Sequence, residues 1–404
     1  MRVRRRCTAA VAVVVLLGPV AACAAPDGAR EAGRRAPSGT PTAPAAAADG
    51  GGAAARGFTL VASGDVLPHD SIIQQAHADA IDDGYDFRPM LAGVRPVVSG
   101  ADLAICHMET VYGADGDYSG YPAFTSPPHI AKSLAATGYD ACSTASNHSL
   151  DDGADGIRRT LDALDAAGVR HNGSARTAKE ATTPAWLTAG GARVAQLAYT
   201  YDTNGNPLPE GQPWAVSALD ETAILAGARA ARRAGADVVV VSLHWGTEWQ
   251  TDPDERQITL ARALTAATSP TPAGPRPDID LIIGTHAHVP QAYEKVNGTW
   301  VVYGMGDQIA GPMFNHTGAF DPRGNQSSIG RFTFAPPTAP GRRWQVTKAE
   351  YIPQWMDLDT NRVINLADAL AAGAEREDYE TALEEISAAV LGRGAGEDGL
   401  RMGR

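Results

Sequence analysis

Six short apolar runs recur through the middle of the chain: Phe58 to Ser63, Leu103 to Cys106, Val194 to Tyr199, Val238 to Leu243, Leu281 to Ile283 and Trp300 to Tyr303. Each is too short for a helix and lacks polar alternation, so each reads as a strand buried on both faces. Helical patterns separate them. Gly156 to Ala167 sets Ile157, Leu161 and Leu164 on one face, and Leu219 to Ala234 and Glu255 to Ala266 are also helix-prone. Strands that alternate with helices specify an α/β fold. The Pro-rich stretch Ser269 to Asp278 is expected to be a surface loop. Beyond Tyr351 the chain is expected to run over the surface into a C-terminal helix, with Tyr379, Leu383, Ile386 and Val390 as its packed stripe.

The two ends carry a different message. Arg2, Arg4, Arg5 and Arg6 precede an apolar run from Ala9 to Leu17, which falls short of the roughly 18 residues that span a bilayer. This is the pattern of a cleaved export signal over residues 1–22. Ala21 and Ala22 lie directly before Cys23, as at a lipoprotein processing site, so Cys23 is the expected lipid attachment point and the mature chain is expected on the outer face of the cytoplasmic membrane. Residues 23–56 are almost devoid of large apolar side chains and read as a disordered Ala/Gly/Pro tether. A domain over residues 57–350 and a C-terminal segment over 351–404 follow.

The formal charge is −12, and removal of residues 1–22, with four arginines and no acid, leaves −16. Such a surface repels polyanions, which excludes nucleic acid as a partner and leaves any anionic substrate to local cations or metal. Once Cys7 is removed and Cys23 acylated, two cysteines remain. Cys106 and Cys142 are compatible with a disulfide outside the cytosol or with buried thiols.

Chemistry follows the apolar runs. Gly64 and Asp65 follow the first, His107 and Glu109 the second, and Asn147 and His148 the stretch Tyr139 to Ser146; His244 follows Val238 to Leu243, and His286 and His288 follow Leu281 to Ile283. Residues at the carboxyl ends of strands in an open α/β sheet converge on one edge, where ligands bind. Six of the ten histidines (His69, His107, His148, His244, His286, His288) lie there. With Asp65, Glu109 and Asn147 they offer imidazole and oxygen donors, a set that suits Zn, Mn, Fe or Ni rather than Ca. His286 and His288, one residue apart, would point the same way from an extended segment. His148 is the candidate acid, and Glu248, after His244, Trp245 and Gly246, is a candidate for orienting a ligand.

These residues resemble the CapA family of poly-γ-glutamate capsule synthesis, which is related to the calcineurin-like metallophosphatases. The similarity covers about Phe58 to Gln308 and rests on five segments in order: Gly64-Asp65, Met108-Glu109, Ser146-Asn147-His148 with Asp152-Gly153, His244-Trp245-Gly246 with Glu248, and Gly284-x-His286-x-His288. The resemblance implies a layered sandwich of central mixed β-sheets flanked by helices. It also implies one or two divalent ions (Zn, Mn or Fe) held by Asp65, Glu109, Asn147, His244, His286 and His288, with His148 as the catalytic acid. His69, His107, Glu248 and Asp307 are additional candidates. The chain departs from the family where His107 replaces an asparagine, where Leu67 replaces a histidine, and where Gly304-Met305-Gly306-Asp307 replaces Ser-Leu-Gly-Asn.

Two functions follow from the resemblance. One is metal-dependent hydrolase or transferase chemistry on a phosphoester or amide in capsule, poly-γ-glutamate or related surface-polymer metabolism. The other is a non-catalytic component that holds an anionic polymer within a membrane complex for synthesis or export.

Overall fold

The computed structural model describes residues 55–339 and 342–404. The export signal, Cys23 and the tether up to residue 54 lie outside the described residues. No helix among the described residues is long and apolar enough to cross a membrane.

All six expected strands form, and most run further than their apolar cores suggest. Phe58–Leu67, Leu103–Met108, Ala141–Ser143 and Arg170–Asn172 lie side by side in parallel, with Gln326–Ala335, Gln345–Asp357 and Arg362–Asn365 added antiparallel beyond Phe58–Leu67. Two short strands, Asp307–Ala310 and Leu400–Met402, complete this mixed nine-stranded sheet. A second, six-stranded sheet has Ala192–Thr200, Val238–His244, Leu281–Thr285 and Thr299–Val302 in parallel, closed at each edge by an antiparallel hairpin partner.

Alternation along each strand decides what lies between the sheets. Phe58, Leu60 and Ala62 share one core with Val194, Val238, Val240, Leu281 and Ile283 of the other sheet. Val61 and Val66 turn the opposite way, into a core with Ile72 and Ala76 of the Asp70–Asp79 helix and Ile157, Leu161 and Leu164 of the Gly153–Ala167 helix. On the far side, Val239, Val241 and Ile282 pack on Ile224 and Ala228 of the Glu221–Arg233 helix and on Ala261 and Leu264 of the Glu255–Ala266 helix. The result is the expected layered α/β sandwich: helices, sheet, sheet, helices. Strands buried on both faces are what the continuous apolar runs require.

The helix at 255–266 starts where a capping box places it: Asp254 accepts from the Gln257 amide and the Gln257 side chain accepts from the Asp254 amide. The surface run expected after Tyr351 is corrected by the structure. The strand Gln345–Asp357 passes straight through it, with Ile352 and Met356 buried, because its pairing with Gln326–Ala335 continues to Trp355. The C-terminal helix Glu377–Leu391 packs as its stripe predicts, with Tyr379, Ile386 and Val390 buried on the inter-sheet core and Leu383 partly so. Cys106 and Cys142 are register partners on adjacent parallel strands and form a disulfide.

Candidate metal centre

Strand register brings the chemistry together. In the larger sheet Asp307, Asp65 and His107 sit side by side on three neighbouring parallel strands, and Glu109 follows one residue after the third strand ends. In the smaller sheet His244 is flanked by Thr200 and Thr285 in the same way. Asp65, His107 and His244 thus lie within their strands rather than just past them, because the strands outrun their apolar runs. A β-carbon on Gly64 would overlap the Gly306 carbonyl oxygen, and the Asp65 amide donates to that same oxygen at 3.0 Å. Only a residue without a side chain lets these backbones close and set Asp65 beside Asp307.

The donor atoms converge from both sheets. His107 Nε2 lies 3.6 Å from Asp65 Oδ1, and His244 Nδ1 lies 4.0 Å from the same oxygen. His244 Nε2 is 3.6 Å from Glu109 Oε1 and 2.9 Å from Asn147 Oδ1. His288 Nδ1 is 3.0 Å from Asp307 Oδ1. Among the described residues two groups have donor atoms within 4.8 Å of one another: Asp65, His107 and His244, and Asp65, Glu109, His288 and Asp307, so Asp65 belongs to both. Asp65 Oδ1, both Glu109 carboxylate oxygens, His107 Nε2, His286 Nδ1 and Asp307 Oδ2 are buried with no hydrogen-bond partner. Native interiors rarely leave so many polar atoms unpaired in one place. The set fits a divalent metal ion, with mixed imidazole and carboxylate donors as in transition-metal sites.

Electrostatics agree with that fit. Burial, then repulsion from Asp307, raises the Asp65 carboxyl well above the usual range, and burial, then Asp65, does the same to Glu109. Burial holds His107 down at about 3 and pushes His244 and His286 well below the ordinary imidazole value, aided by the neighbouring histidines. His288 is the exception: burial, the largest single effect, opposes its charge, but Asp307, Glu109 and Glu248 together outweigh burial and raise it. Three crowded carboxyls and several neutral imidazoles are groups that a cation would reconcile.

His148 stands beside this cluster with its own support. Its Nδ1 lies 2.6 Å from Asp151 Oδ2, which also accepts from the Phe124 amide at 2.8 Å. The Asn147 side-chain amide donates to Asn204 Oδ1 at 3.1 Å.

The expected pair His286 and His288 is brought to the site, but not from an extended segment. The strand ends at Thr285, and the two residues take φ of 94° and 58°, in the left-handed region. Each such residue costs on the order of 1–3 kcal/mol, and the turns leave the two rings tilted at 55° with centroids 6.0 Å apart. The His286 ring lies 4.7 Å from His244 and 4.4 Å from Tyr201, while the His288 ring sits 6.2 Å from Trp249. The His286 amide donates to Asp65 Oδ2 at 3.0 Å, so this residue also orients Asp65 through its backbone. His69 joins neither group: its Nδ1 lies against backbone, 3.0 Å from the Leu67 carbonyl and 3.1 Å from the Gly311 nitrogen. Glu248 is exposed on the cavity wall beside the cluster.

A protein-family model described as "Bacterial capsule synthesis protein PGA_cap" matches residues 59–312. The chain belongs to this family. PGA_cap relatives include the PGA biosynthesis protein CapA of Bacillus subtilis, 30% identical over 181 residues, which are 44% of this chain and 44% of that protein. The capsule biosynthesis protein CapA of Bacillus anthracis is 28% identical over 181 residues, 44% of this chain and 42% of its own length. A probable polyglutamine synthesis accessory protein of Mycobacterium tuberculosis is 26% identical over 227 residues, 52% of this chain and 55% of its own. The chain therefore spans less than half the length of the two Bacillus relatives. Among solved structures, a putative 5'-nucleotidase from Staphylococcus aureus is 14% identical with a TM-score of 0.46, covering 81% of this chain and 58% of that one. A 5'-nucleotidase precursor from Thermus thermophilus is 17% identical with a TM-score of 0.43, covering 81% and 59%.

Within this PGA_cap chain two of the three departures, His107 and Asp307, are inside the donor groups rather than beside them. Sequence reasoning missed Asp151, Tyr201, Asn204 and Thr285. Asp151 carried a usable signal, an acid three residues after His148, whereas Asn204 and Tyr201 arrive from a loop whose path no periodicity encodes.

Proposed function

We propose that this chain is a metal-dependent hydrolase or group-transfer enzyme of surface-polymer metabolism, acting on a phosphoester or amide. The observation that supports the reading is the set of buried, unpaired donors on Asp65, Glu109, His107, His286 and Asp307, with the His148–Asp151 pair alongside. A structural metal prefers a closed set of tetrahedral Cys and His ligands, and this set is carboxylate-rich and opens on a cavity lined by His148 and His288.

Asp65, Glu109, Asn147, His244, His286 and His288 would hold one or two ions, with His107 and Asp307 as additional ligands. When bound, a divalent ion supplies Lewis-acid polarisation of the substrate and a water of lowered pKa. His148 is the proton donor to the leaving group. Its Nδ1 donates to Asp151, which fixes the ring and leaves Nε2 as the atom that handles the proton. Asn147, tied to Asn204, keeps its oxygen toward His244. The chain is also proposed to be exported and anchored through Cys23, with its polymer partners at the cell surface.

Metal analysis of the purified chain, followed by turnover of generic phosphodiesters, phosphomonoesters and amides with Zn, Mn or Fe, tests the reading. Stoichiometric metal is expected, with activity lost in His286→Ala and in His148→Ala while the latter keeps its metal. A chain that takes up metal, binds oligo-γ-glutamate unchanged in His148→Ala and turns nothing over would be a binding component instead.

A further inference from the structure

Beside the metal centre lies a cavity of about 570 Å³, most of whose wall the proposed chemistry does not use. His148 and His288 form its inner wall, and Phe124, Trp249, Phe314 and Tyr121 supply rings around it. A second recess of about 710 Å³ opens on the other side, against His286 and Tyr201, and shares Glu248, Trp249 and His316 with the first. The two recesses therefore adjoin, and each reaches candidate site residues, His148 and His288 in one and His286 in the other.

Three features of these recesses are informative. The first is their charge: among the described residues, no lysine or arginine lines either recess, and Glu248 adds a carboxylate. Away from the centre itself, where His288 and a bound ion carry positive charge, a run of γ-linked glutamates would bring one carboxylate per residue against a wall with no lysine or arginine to meet it. The second is the placing of apolar surface. Tyr121, Phe314 and Phe320 are 77%, 59% and 50% exposed, three of the few large hydrophobic side chains left open to solvent among the described residues, and Tyr121 and Phe314 are in the cavity wall itself. Phe314 and Phe320 pair across the loop that closes this side, with ring centroids 6.1 Å apart. The third is the mixture of groups. His69, Asn315 and His316 interleave with the rings. An acyl chain would leave those polar groups without partners, whereas a ring that carries hydroxyls offers an apolar face to the aromatics and hydrogen bonds to the rest.

We infer that this cavity is a subsite for a neutral sugar ring of the substrate, stacked on Tyr121 and Phe314, the two exposed rings of its wall, with the susceptible bond directed at the metal centre. The inference rests on the proposed function and narrows it. The substrate class becomes a glycosyl-bearing phosphoester or amide, and a poly-γ-glutamate segment is not the group that fills this cavity.

The test is binding, read without turnover. The full-length chain, stripped of metal, is titrated with cellobiose, maltose and the disaccharide of N-acetylglucosamine, and separately with a γ-linked glutamate hexamer, while tryptophan fluorescence is followed. At least one neutral disaccharide is expected to give a saturable change, with Trp249 in the cavity wall as the reporter, that weakens about fivefold in Tyr121→Ala. Phe314→Ala, at an exposed loop position, is expected to weaken it about fivefold, the scale of one stacked ring. The hexamer is expected to give no change that depends on either residue. The inference is overturned if no disaccharide binds, or if the hexamer binds with the Tyr121 and Phe314 dependence assigned to the sugar. Because neither metal nor activity enters the measurement, a chain that binds sugar yet turns nothing over would fail the proposed reaction and keep the subsite.

Discussion

Asp65 is the residue on which the centre turns, since it shares both donor groups, sits beside Asp307 and receives the His286 amide. Its carboxyl is buried among others and held above its usual range, so the fold bears a cost for keeping it there. Asp65→Asn keeps an oxygen for the His286 amide and removes one acid from the crowd. Metal affinity is expected to fall by about tenfold or more, while the metal-free protein melts at the same or a higher temperature; calorimetry with and without metal reads both. The same shifts set a pH dependence. Asp65 and Glu109 hold protons in the metal-free fold above the pH at which the unfolded chain releases them, so those carboxyls destabilise the metal-free fold as pH rises through the ordinary carboxylate range. An ion must displace those protons, and the one that Asp307 holds on His288, so its affinity is expected to increase with pH. Titrations in buffers of different ionisation enthalpy should show release of about one proton or more per ion, and a pH-independent affinity would contradict the assignment of these ligands.

At the scale of elements, the glycine contact between two strands carries a prediction of its own. Gly64→Ala places a methyl against the Gly306 carbonyl, backbone against backbone, where no side chain can swing away. The cost expected is about 1–3 kcal/mol or more in urea denaturation, with metal affinity lost in parallel because the displaced strand carries Asp65. The elements were largely legible in the sequence: a strand buried on both faces shows itself as a continuous apolar run, and the runs at 238–243 and 281–283 led directly to His244 and to the His286–His288 turn. The turn itself was not legible. Whether residues past a strand stay extended depends on what they meet, and here His286 is drawn over to Asp65, 221 positions away. The strand through Tyr351 was hidden for a related reason. Its residues alternate unevenly because one end is a solvent-facing hairpin and the other a buried ladder, and register with Gln326–Ala335 decides between them. Asp307 shows the limit most clearly, since its place beside Asp65 is a property of strand pairing that no local pattern contains.

For the whole molecule, compartment and stability are joined through Cys106 and Cys142. They bridge neighbouring strands of the larger sheet, one residue before His107 on one side and before Ser143 on the other, and Ser143 Oγ lies 2.7 Å from His107 Nδ1. The disulfide therefore ties together the two strands that orient a donor of the centre. Disulfides persist outside the cytosol and are reduced within it, so the proposed export is what would let this one form. Closing a loop between cysteines 36 positions apart is worth about 4 kcal/mol on the chain-entropy argument. A chain that keeps residues 1–22 and is exported is expected to show no free thiol at Cys106 or Cys142. The same chain without residues 1–22, held in a reducing cytosol, should show two reactive thiols once unfolded and a clearly lower melting temperature. Cys106→Ala with Cys142→Ala should reproduce that loss in the exported form and weaken metal binding through His107. Equal thiol counts and equal melting in both compartments would separate the disulfide from the proposed export.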